Sequence, residues 1–435
     1  MIRLLTLFML ACSTFTMAIQ SETAAPRAKI VTKATLTDIP LGIVQHTALP
    51  NAPIMNDRGI LFGGIGSDVF HVPGTAADEF WSVTDRGPMR ELQNGDSVLH
   101  TALIPEYTPM IVHLKIDDGV VTPMQYIPIT TSSGKPVTGL PNIPRSDPQF
   151  WDATASVELP YNPNGLDVEG IVRTSSGEFW VADEYRPSLV RISATGRVIA
   201  RYIPKGVPLV GADYPVIEAL PHAYTQRTYN RGFEGLALSA DEKTIFIVLQ
   251  SPLNAPDLEF GSHSRTVRIL SFDIAAGSAT HEYVYRLEDA TAFDPNRKTK
   301  QSDMKLSGVA SVDQHRLLVL ERTDHAFAVY RIDLRDATDI IGTEWSTMNT
   351  PYSLEHYENP TKVGITPVSK HLVLHSAVLR NMPQKIEGLT IVNTTTLALT
   401  NDNDFDVGEL NAHGINQGYG RKSHLIVLKV PDITK

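Results

Sequence analysis

Four short segments of this chain repeat one arrangement of residues, and three of them carry an acidic side chain at the same position. Glu169, Glu234 and Glu387 each precede a glycine and a short apolar run of the kind that forms a β-strand. Ser307 stands at this position in the remaining copy. Because neighbouring negative charges repel one another, carboxylates brought together in this way take up protons or bind cations. The three glutamates are therefore the candidate catalytic residues.

A second polar position lies where the next strand-like run of each repeat ends. In three copies it follows the first position by 14 residues, as from Glu169 to Asp183. The two runs are expected to be antiparallel, so the end of the second lies beside the start of the first, and both polar sets face one side of the molecule. The second set consists of Asp85, Asp183, Glu184, Gln250, Glu321, Asp402 and Asp404.

Oxygen ligands at these strand ends favour calcium, which binds several oxygens in a flexible geometry. The candidate metal ligands are Asp183, Glu184, Asp402 and Asp404, and the last two belong to the run Asn-Asp-Asn-Asp-Phe-Asp at 401–406. That run lacks the glycine and glutamate spacing of an EF-hand loop. Structural roles stay open as alternatives, with the aspartates capping a turn and the Glu-Gly pairs holding a tight blade turn.

Basic residues lie among these acids and predict the recognition of an anion. Arg186, Arg322 and Lys385 are the candidate substrate contacts, because such cations bind phosphate or carboxylate groups. Acids that hold metal ions beside cations that hold an anion would suit a metal-assisted phosphoester hydrolase. The sequence contains no Gly-x-Ser-x-Gly elbow, which argues against a serine esterase.

The elements that would position these residues are short strands. Runs rich in Val, Ile, Leu and aromatic residues recur along the chain, and 29 Gly and 29 Pro supply the turns. The centres of the repeats lie 65 to 80 residues apart from Glu169 onward. A motif that recurs once per blade encircles an axis, so the sequence predicts an all-β fold, a single β-propeller with long loops over one face. Six blades are expected, with five and seven as alternatives.

The longest interval between repeats runs from Ser67, in a degenerate first copy, to Glu169. It is expected to hold an additional blade that includes residues 109–128. Insertions at 129–161, 205–229 and 253–265 are rich in Pro, Ser and Asn and are expected to form the loops.

The N-terminus has the features of an export signal. Residues 1–18 combine Arg3, a short apolar run and small residues near Ala18, so they are expected to be a cleaved signal peptide. An alternative makes Cys12 a lipid-modified residue. Either interpretation predicts an exported protein, periplasmic or extracellular, and no later segment is apolar for long enough to span a bilayer.

The net charge of −10 argues against a nucleic-acid partner, which requires a basic surface to displace counterions. Cys12 is the single cysteine, so a mature chain without it has no disulfide and no cysteine-bound zinc.

The ordered set of motifs resembles the bacterial phytase-like family, which is described as having esterase-like activity. The resemblance rests on the segments 81–87, 167–170, 179–187, 232–237, 318–322, 385–389 and 401–405. It implies an exported propeller domain at 63–430, preceded by a lead-in with the first strands at 19–62, and it implies hydrolysis of phosphate esters or carboxylesters. Ser307 departs from the acidic pattern of the repeats and leaves the ring of carboxylates incomplete.

Three functions are consistent with these features. The first is an exported calcium-dependent hydrolase of phosphate esters, with a small anionic ester as substrate. The second is a non-enzymatic envelope propeller that binds a ligand or a protein and carries structural calcium. The third is a calcium-dependent hydrolase of lactones or carboxylesters.

Overall fold

The computed structural model describes residues 28–434 except 145–146, 255–257, 296, 349, 351 and 432. Strands dominate the described chain, so the expectation of an all-β fold is confirmed. The expected signal peptide at 1–18 and Cys12 lie outside the described residues.

The strands group into five antiparallel units of four strands, here called blades 1 to 5. Blade 1 contains Val69–Phe70, Glu79–Val83, Met110–Asp117 and Val120–Pro128; blade 2 contains Val168–Arg173, Phe179–Asp183, Ser188–Ile192 and Val198–Pro204, with Val216–Leu220 added in parallel; blade 3 contains Phe233–Leu238, Thr244–Leu249, Thr266–Asp273 and Ser278–Arg286; blade 4 contains Lys305–Ser311, Arg316–Arg322, Phe327–Asp333 and Ser369–His375; blade 5 contains Ile386–Asn393, Thr396–Asn401, His424–Lys429 and Lys29–Leu36.

The first-named strands of the five blades contact one another in a closed ring, in the order of the blades. This is the arrangement of a β-propeller, and the described strands supply five blades rather than the expected six. The additional blade expected after Ser67 is not formed, because residues 110–117 and 120–128 are the outer strands of blade 1. Three further strands of that interval, Met89–Asn94, Ser97–Ala102 and Phe150–Trp151, make a separate small sheet.

Blade 5 is completed by the two ends of the described chain. The strand Lys29–Leu36 pairs antiparallel with His424–Lys429, and it also pairs in parallel with the outer strand of blade 1. Blades 1 and 5 therefore share one continuous eight-stranded sheet.

The apolar core lies between adjacent blades. Trp180 of blade 2 packs against Phe272 of blade 3 with ring centroids 5.8 Å apart, and both side chains are fully buried. The helices are short and lie in the connections and near the chain ends. They are the α-helices Leu41–Ala48, Leu258–His263, Ala290–Phe293 and Glu344–Thr347, and the 3-10 helices His222–Gln226, Gln301–Asp303, Leu354–His356, Pro360–Val363, Ser376–Val378 and Asp404–Asp406. A two-stranded hairpin, Glu409–Leu410 with Asn416–Gln417, follows the last of these.

The glycine of each Glu-Gly repeat lies where neighbouring inner strands approach most closely. A Cβ atom at Gly235 would lie 2.4 Å from the carbonyl oxygen of Ser307, and one at Gly308 would lie 2.5 Å from the amide nitrogen of Leu389. Asp68 stands at this position in blade 1. Its carboxylate accepts amide N–H groups of Ile171 and Leu389, in the two flanking blades, at 3.1 and 3.4 Å.

We expect Gly235→Ala to destabilise the protein by about 3 kcal/mol, because the backbone of Ser307 and Gly308 cannot move away from the new methyl group without opening the ring. Gly119→Ala is the control: no atom lies within 4 Å of its Cβ position, so only the strain of its φ of 76° is added, about 1 kcal/mol. Urea unfolding of both variants measures the difference, and equal losses would contradict the close-approach explanation.

Candidate functional site

The three glutamates of the repeats meet at the propeller axis. One carboxylate oxygen from each of Glu169, Glu234 and Glu387 lies within 4.8 Å of the others. Burial raises the pKa of the Glu169 carboxyl well above its usual range, and the charges of Asp85 and Glu234 raise it further. The repeat thus places three carboxylates in one small volume, and we call them the axial glutamates.

Arg322 occupies the place in the ring that Ser307 leaves free. Its Nε donates to the Ser307 hydroxyl at 2.8 Å, its guanidinium pairs with Glu387, and it lies 3.7 Å from Glu234. Burial raises the pKa of the Glu387 carboxyl, and Arg322 opposes that rise. The arginine expected to contact substrate is therefore a buried counter-ion of two axial glutamates.

A second carboxylate group forms between blades 1 and 2. Oxygens of Asp85, Asp167 and Glu169 lie within 4.8 Å of one another, and we call these residues the acidic triad. Asp167 Oδ2 accepts from Arg86 Nη1 at 2.5 Å. Among the described residues, no hydrogen-bond partner reaches the other oxygen, Asp167 Oδ1, or the buried Oε1 of Glu184. Two buried carboxylate oxygens thus lack the donors that normally compensate burial.

Asp167 is absent from the candidates that the sequence identified, although it opens the Asp-Val-Glu-Gly copy of the repeat. Its position lies two residues before an axial glutamate, and the amide N–H of Glu184 donates to its carbonyl oxygen at 2.9 Å. The residue two positions before each axial residue therefore lies beside the axial residues. This spacing was the signal in the sequence that could have identified Asp167.

The structure gives Asp183 a different environment from its neighbour Glu184. Asp183 accepts from the amide N–H of Asp167 at 2.8 Å and from the Ser188 hydroxyl at 2.5 Å, and it pairs with the fully buried Arg201. Burial raises the pKa of its carboxyl to about 6, although Arg201 opposes the rise. These contacts hold blade 2 together and do not bring Asp183 into either carboxylate group.

Asp402 and Asp404, the other expected metal ligands, surround a lysine. Lys385 Nζ lies 2.7 Å from Asp402 Oδ2 and 2.5 Å from Asp404 Oδ1. Arg421 Nη1 adds a contact to Asp404 Oδ2 at 2.9 Å. Lys385 and Asp404 both have left-handed backbone conformations, with φ of 52° and 49°. Lys385 is therefore neutralised within its own blade, in spite of its expected role as an anion contact.

A cavity of about 370 Å³ is lined by Asp85, one member of the acidic triad. Its lining includes Asp85, Asn230 and the three arginines Arg86, Arg90 and Arg421. A negative site with arginines at its entrance can accept an anion together with a cation.

Arg186, the remaining expected substrate contact, lies elsewhere. Its guanidinium donates to the carbonyl oxygens of Val207 and Pro208. It lines another cavity, of about 450 Å³, whose described lining contains none of the clustered carboxylates.

We expect Asp183→Asn to lower the free energy of unfolding by about 3–5 kcal/mol, because Arg201 would lose its buried counter-ion. The calcium affinity of the Asp183→Asn variant, measured by titration of the folded protein, should equal that of the wild type. Asp78→Asn, at a half-exposed acid 3.8 Å from Lys115, is the control and should change stability little. If the Asp183→Asn variant were as stable as the wild type but bound calcium more weakly, Asp183 would be a calcium ligand.

The chain has a sequence relative among fungal proteins. An uncharacterized secreted protein of Arthroderma benhamiae is 34% identical over 208 residues, which are 42% of this chain and 39% of the relative. The chain therefore spans well under half of that protein's length, and the bacterial part of the family resemblance is not confirmed.

Solved structures align over most of the chain at low similarity. PQQ-bound aldose sugar dehydrogenase from Streptomyces coelicolor is 10% identical with a TM-score of 0.35, covering 94% of this chain and 100% of that chain. The calcium-binding protein regucalcin from Agrobacterium tumefaciens is 11% identical with a TM-score of 0.32, covering 85% and 91%. Scores this low support no argument about this protein.

No helix in the described ranges has the length and apolar character needed to cross a membrane. The model of the phytase-like family, described as "Esterase-like activity of phytase", matches residues 60–405 of the 435. With most of its length matched in this way, the chain belongs to the phytase-like family.

Proposed function

We propose that this protein is an exported, calcium-dependent hydrolase of phosphate esters. The observation that carries the proposal is the convergence of Asp85, Asp167 and Glu169, of which Asp85 lines a cavity shared with three arginines. Membership of the phytase-like family supports ester hydrolysis as the reaction class. The secreted fungal relative and the signal-like residues 1–18 support export, to the periplasm or the outside of the cell.

The donor set of the acidic triad fits a hard divalent cation. Calcium prefers carboxylate oxygens, and the buried Asp167 Oδ1 lacks a hydrogen-bond partner among the described residues. Asp85, Asp167 and Glu169 would hold the ion, with Glu184 Oε1 as a further oxygen nearby. When bound, calcium would neutralise the cluster and polarise a phosphoryl oxygen and a water molecule.

Glu234 is the carboxylate that we assign to proton transfer. It is held by Gln250 Nε2 at 2.6 Å and by the Ser307 hydroxyl at 3.0 Å, and burial raises the pKa of its carboxyl. A raised pKa suits a general base near neutral pH. Glu234 would accept a proton from the water that attacks phosphorus and return it to the leaving alcohol oxygen as the ester P–O bond breaks.

The arginines at the entrance would orient the anionic group of the substrate. Arg86 is fixed by Asp167 at 2.5 Å, and Arg90 by Glu409 at 2.5 Å. Both keep further N–H groups for a ligand, since guanidinium carries five donors.

The esterase-like description of the family favours a second candidate function, hydrolysis of carboxylesters at the same site.

Hydrolysis of 4-nitrophenyl phosphate and 4-nitrophenyl butyrate by the purified full chain, with calcium or with EGTA, tests the reaction. We expect calcium-dependent phosphate release and a loss of at least about 100-fold in kcat for Glu234→Gln, the usual contribution of a general base. Glu106→Gln, at an exposed glutamate, is the matched control. Calcium-dependent cleavage of the butyrate ester alone would transfer the assignment to carboxylesters, and inactivity on both would favour a binding propeller.

Glu169→Gln should raise the Tm of the calcium-free protein, because it removes one charge from a crowded buried cluster. The folded-state pKa of Glu169 is raised, so the folded wild type binds more protons than the unfolded chain above about pH 4.5. Its calcium-free stability therefore falls as pH rises from that value toward the raised pKa. Thermal unfolding in EGTA should show a smaller fall with pH in Glu169→Gln.

Calcium should raise the Tm of the wild type but not that of Glu169→Gln, because binding to the folded state alone stabilises it. A calcium-free variant less stable than the wild type would contradict the repulsion argument. If calcium raised the Tm of both proteins equally, Glu169 would not be a calcium ligand.

A further inference from the structure

Positive side chains lie near the starts of the inner strands of blades 3 and 4, close to the axial glutamates. We call this region around the axis the propeller mouth. Arg231 precedes the inner strand of blade 3, Lys305 begins that of blade 4, and Arg322 ends the strand paired with it. We call these three residues the basic wall. In the closed ring of inner strands, that of blade 4 contacts those of blades 3 and 5. The acidic triad of blades 1 and 2 therefore lies across the axis from it.

The three cations of the basic wall differ in how closely they are paired with acids. Arg322 is taken up by the axial glutamates, as described above. Lys305 Nζ lies 3.2 Å from Asp324, a carboxylate that Arg322 also contacts at 3.1 Å and that is about half exposed. Arg231 donates to the Ser251 hydroxyl at 3.4 Å, and the acid with the largest electrostatic effect on it is Glu184.

Arg231 and Lys305 are both held where their charge is disfavoured. Burial, Arg322 and Arg231 lower the pKa of Lys305 to about 8, although Asp324 and Glu387 oppose the fall. Burial likewise lowers the pKa of Arg231, which Glu184 partly opposes. Cations buried close together disfavour one another's charged form, and ionisable groups perturbed in this way are common at ligand-binding sites.

The lysine at the corresponding position in blade 5 is paired more closely with acids than Lys305 is. Lys385, like Lys305, lies two residues before the axial position of its repeat. Lys385 is closed off by Asp402 and Asp404 at 2.7 and 2.5 Å, whereas Lys305 shares one half-exposed aspartate with Arg322. Lys305 and Arg231 thus remain available to an anion in the mouth.

We propose that Arg231 and Lys305 form an anion subsite that binds the non-bridging oxygens of a tetrahedral anion, the phosphate group of a monoester or free phosphate. The inference rests on the proposed function, and it replaces the expected contacts Arg186, Arg322 and Lys385 with Arg231 and Lys305. The substrate phosphate lies between the calcium side and the basic wall, which favours a doubly charged monoester over a neutral ester or lactone.

Binding of inorganic phosphate to the full chain, measured by isothermal titration with and without calcium, tests the subsite. We expect Lys305→Met and Arg231→Gln each to weaken phosphate binding by at least about tenfold, the effect of losing a charge-assisted hydrogen bond. Lys305→Arg should restore most of the affinity. Arg335→Gln and Lys29→Met, at exposed cations, are the matched controls.

Two further readouts separate the subsite from the proposed function. Calcium affinity should be unchanged in Lys305→Met and Arg231→Gln, and KM for 4-nitrophenyl phosphate should rise more than kcat falls. Wild-type phosphate affinity in both variants, with calcium binding intact, would overturn the subsite and leave calcium-dependent hydrolysis standing. Phosphate binding that depends on both residues, in a protein that binds no calcium, would support the subsite and overturn the hydrolase.

Stability shows whether Lys305 is only a structural partner of Asp324. We expect Lys305→Met to raise the Tm of the phosphate-free protein by a few degrees, because a disfavoured buried charge is removed, and to reduce the stabilisation that phosphate provides. A lower Tm with an undiminished phosphate shift would show a purely structural role.

Discussion

The close approach of five inner strands at one axis is the constraint on which the rest of this structure depends. At Gly235 and Gly308 the neighbouring backbone leaves no room for a Cβ atom. The side chain before each glycine therefore lies in the same small volume at the axis, where it interacts with the corresponding side chains of the other blades. Four carboxylates there would repel one another strongly, and the chain avoids this by placing Ser307 in blade 4 and inserting Arg322.

Charge around the mouth is divided between groups that neutralise each other and groups that do not. Arg322 and Lys385 are matched by acids in contact with them, and these pairs keep the inner strands in place. The acidic triad has one close cation, Arg86, and Lys305 shares Asp324 with Arg322, so these groups are less completely paired. The separation of opposite charges across a short gap is unfavourable for folding alone, and it is the arrangement expected where bound ions complete the site.

The sequence was sufficient to identify the axial glutamates because the repeated Glu-Gly pair before a strand-like run does not depend on tertiary detail. It could not decide between Asp183 and Glu184, since a break in the strand register between Val181 and Asp183 determines which side chain turns to the axis. The count of six blades was wrong for another reason, because the long interval after Ser67 holds the outer strands of blade 1 and a separate small sheet instead of an additional blade. The outer strand of blade 5 comes from residues 29–36, which carry no copy of the repeat.

That last strand has a consequence for how the molecule is made. Lys29 pairs with Lys429, so the sheet that closes the ring joins the first and last strands of the described chain. Contacts of such long sequence separation form slowly, and this one must wait until synthesis has passed the final strand. Glu387 and Asp85 lie in the two blades that this sheet unites. Glu387 therefore joins Glu169 and Glu234 late, and the set of three axial glutamates is complete only in the finished protein.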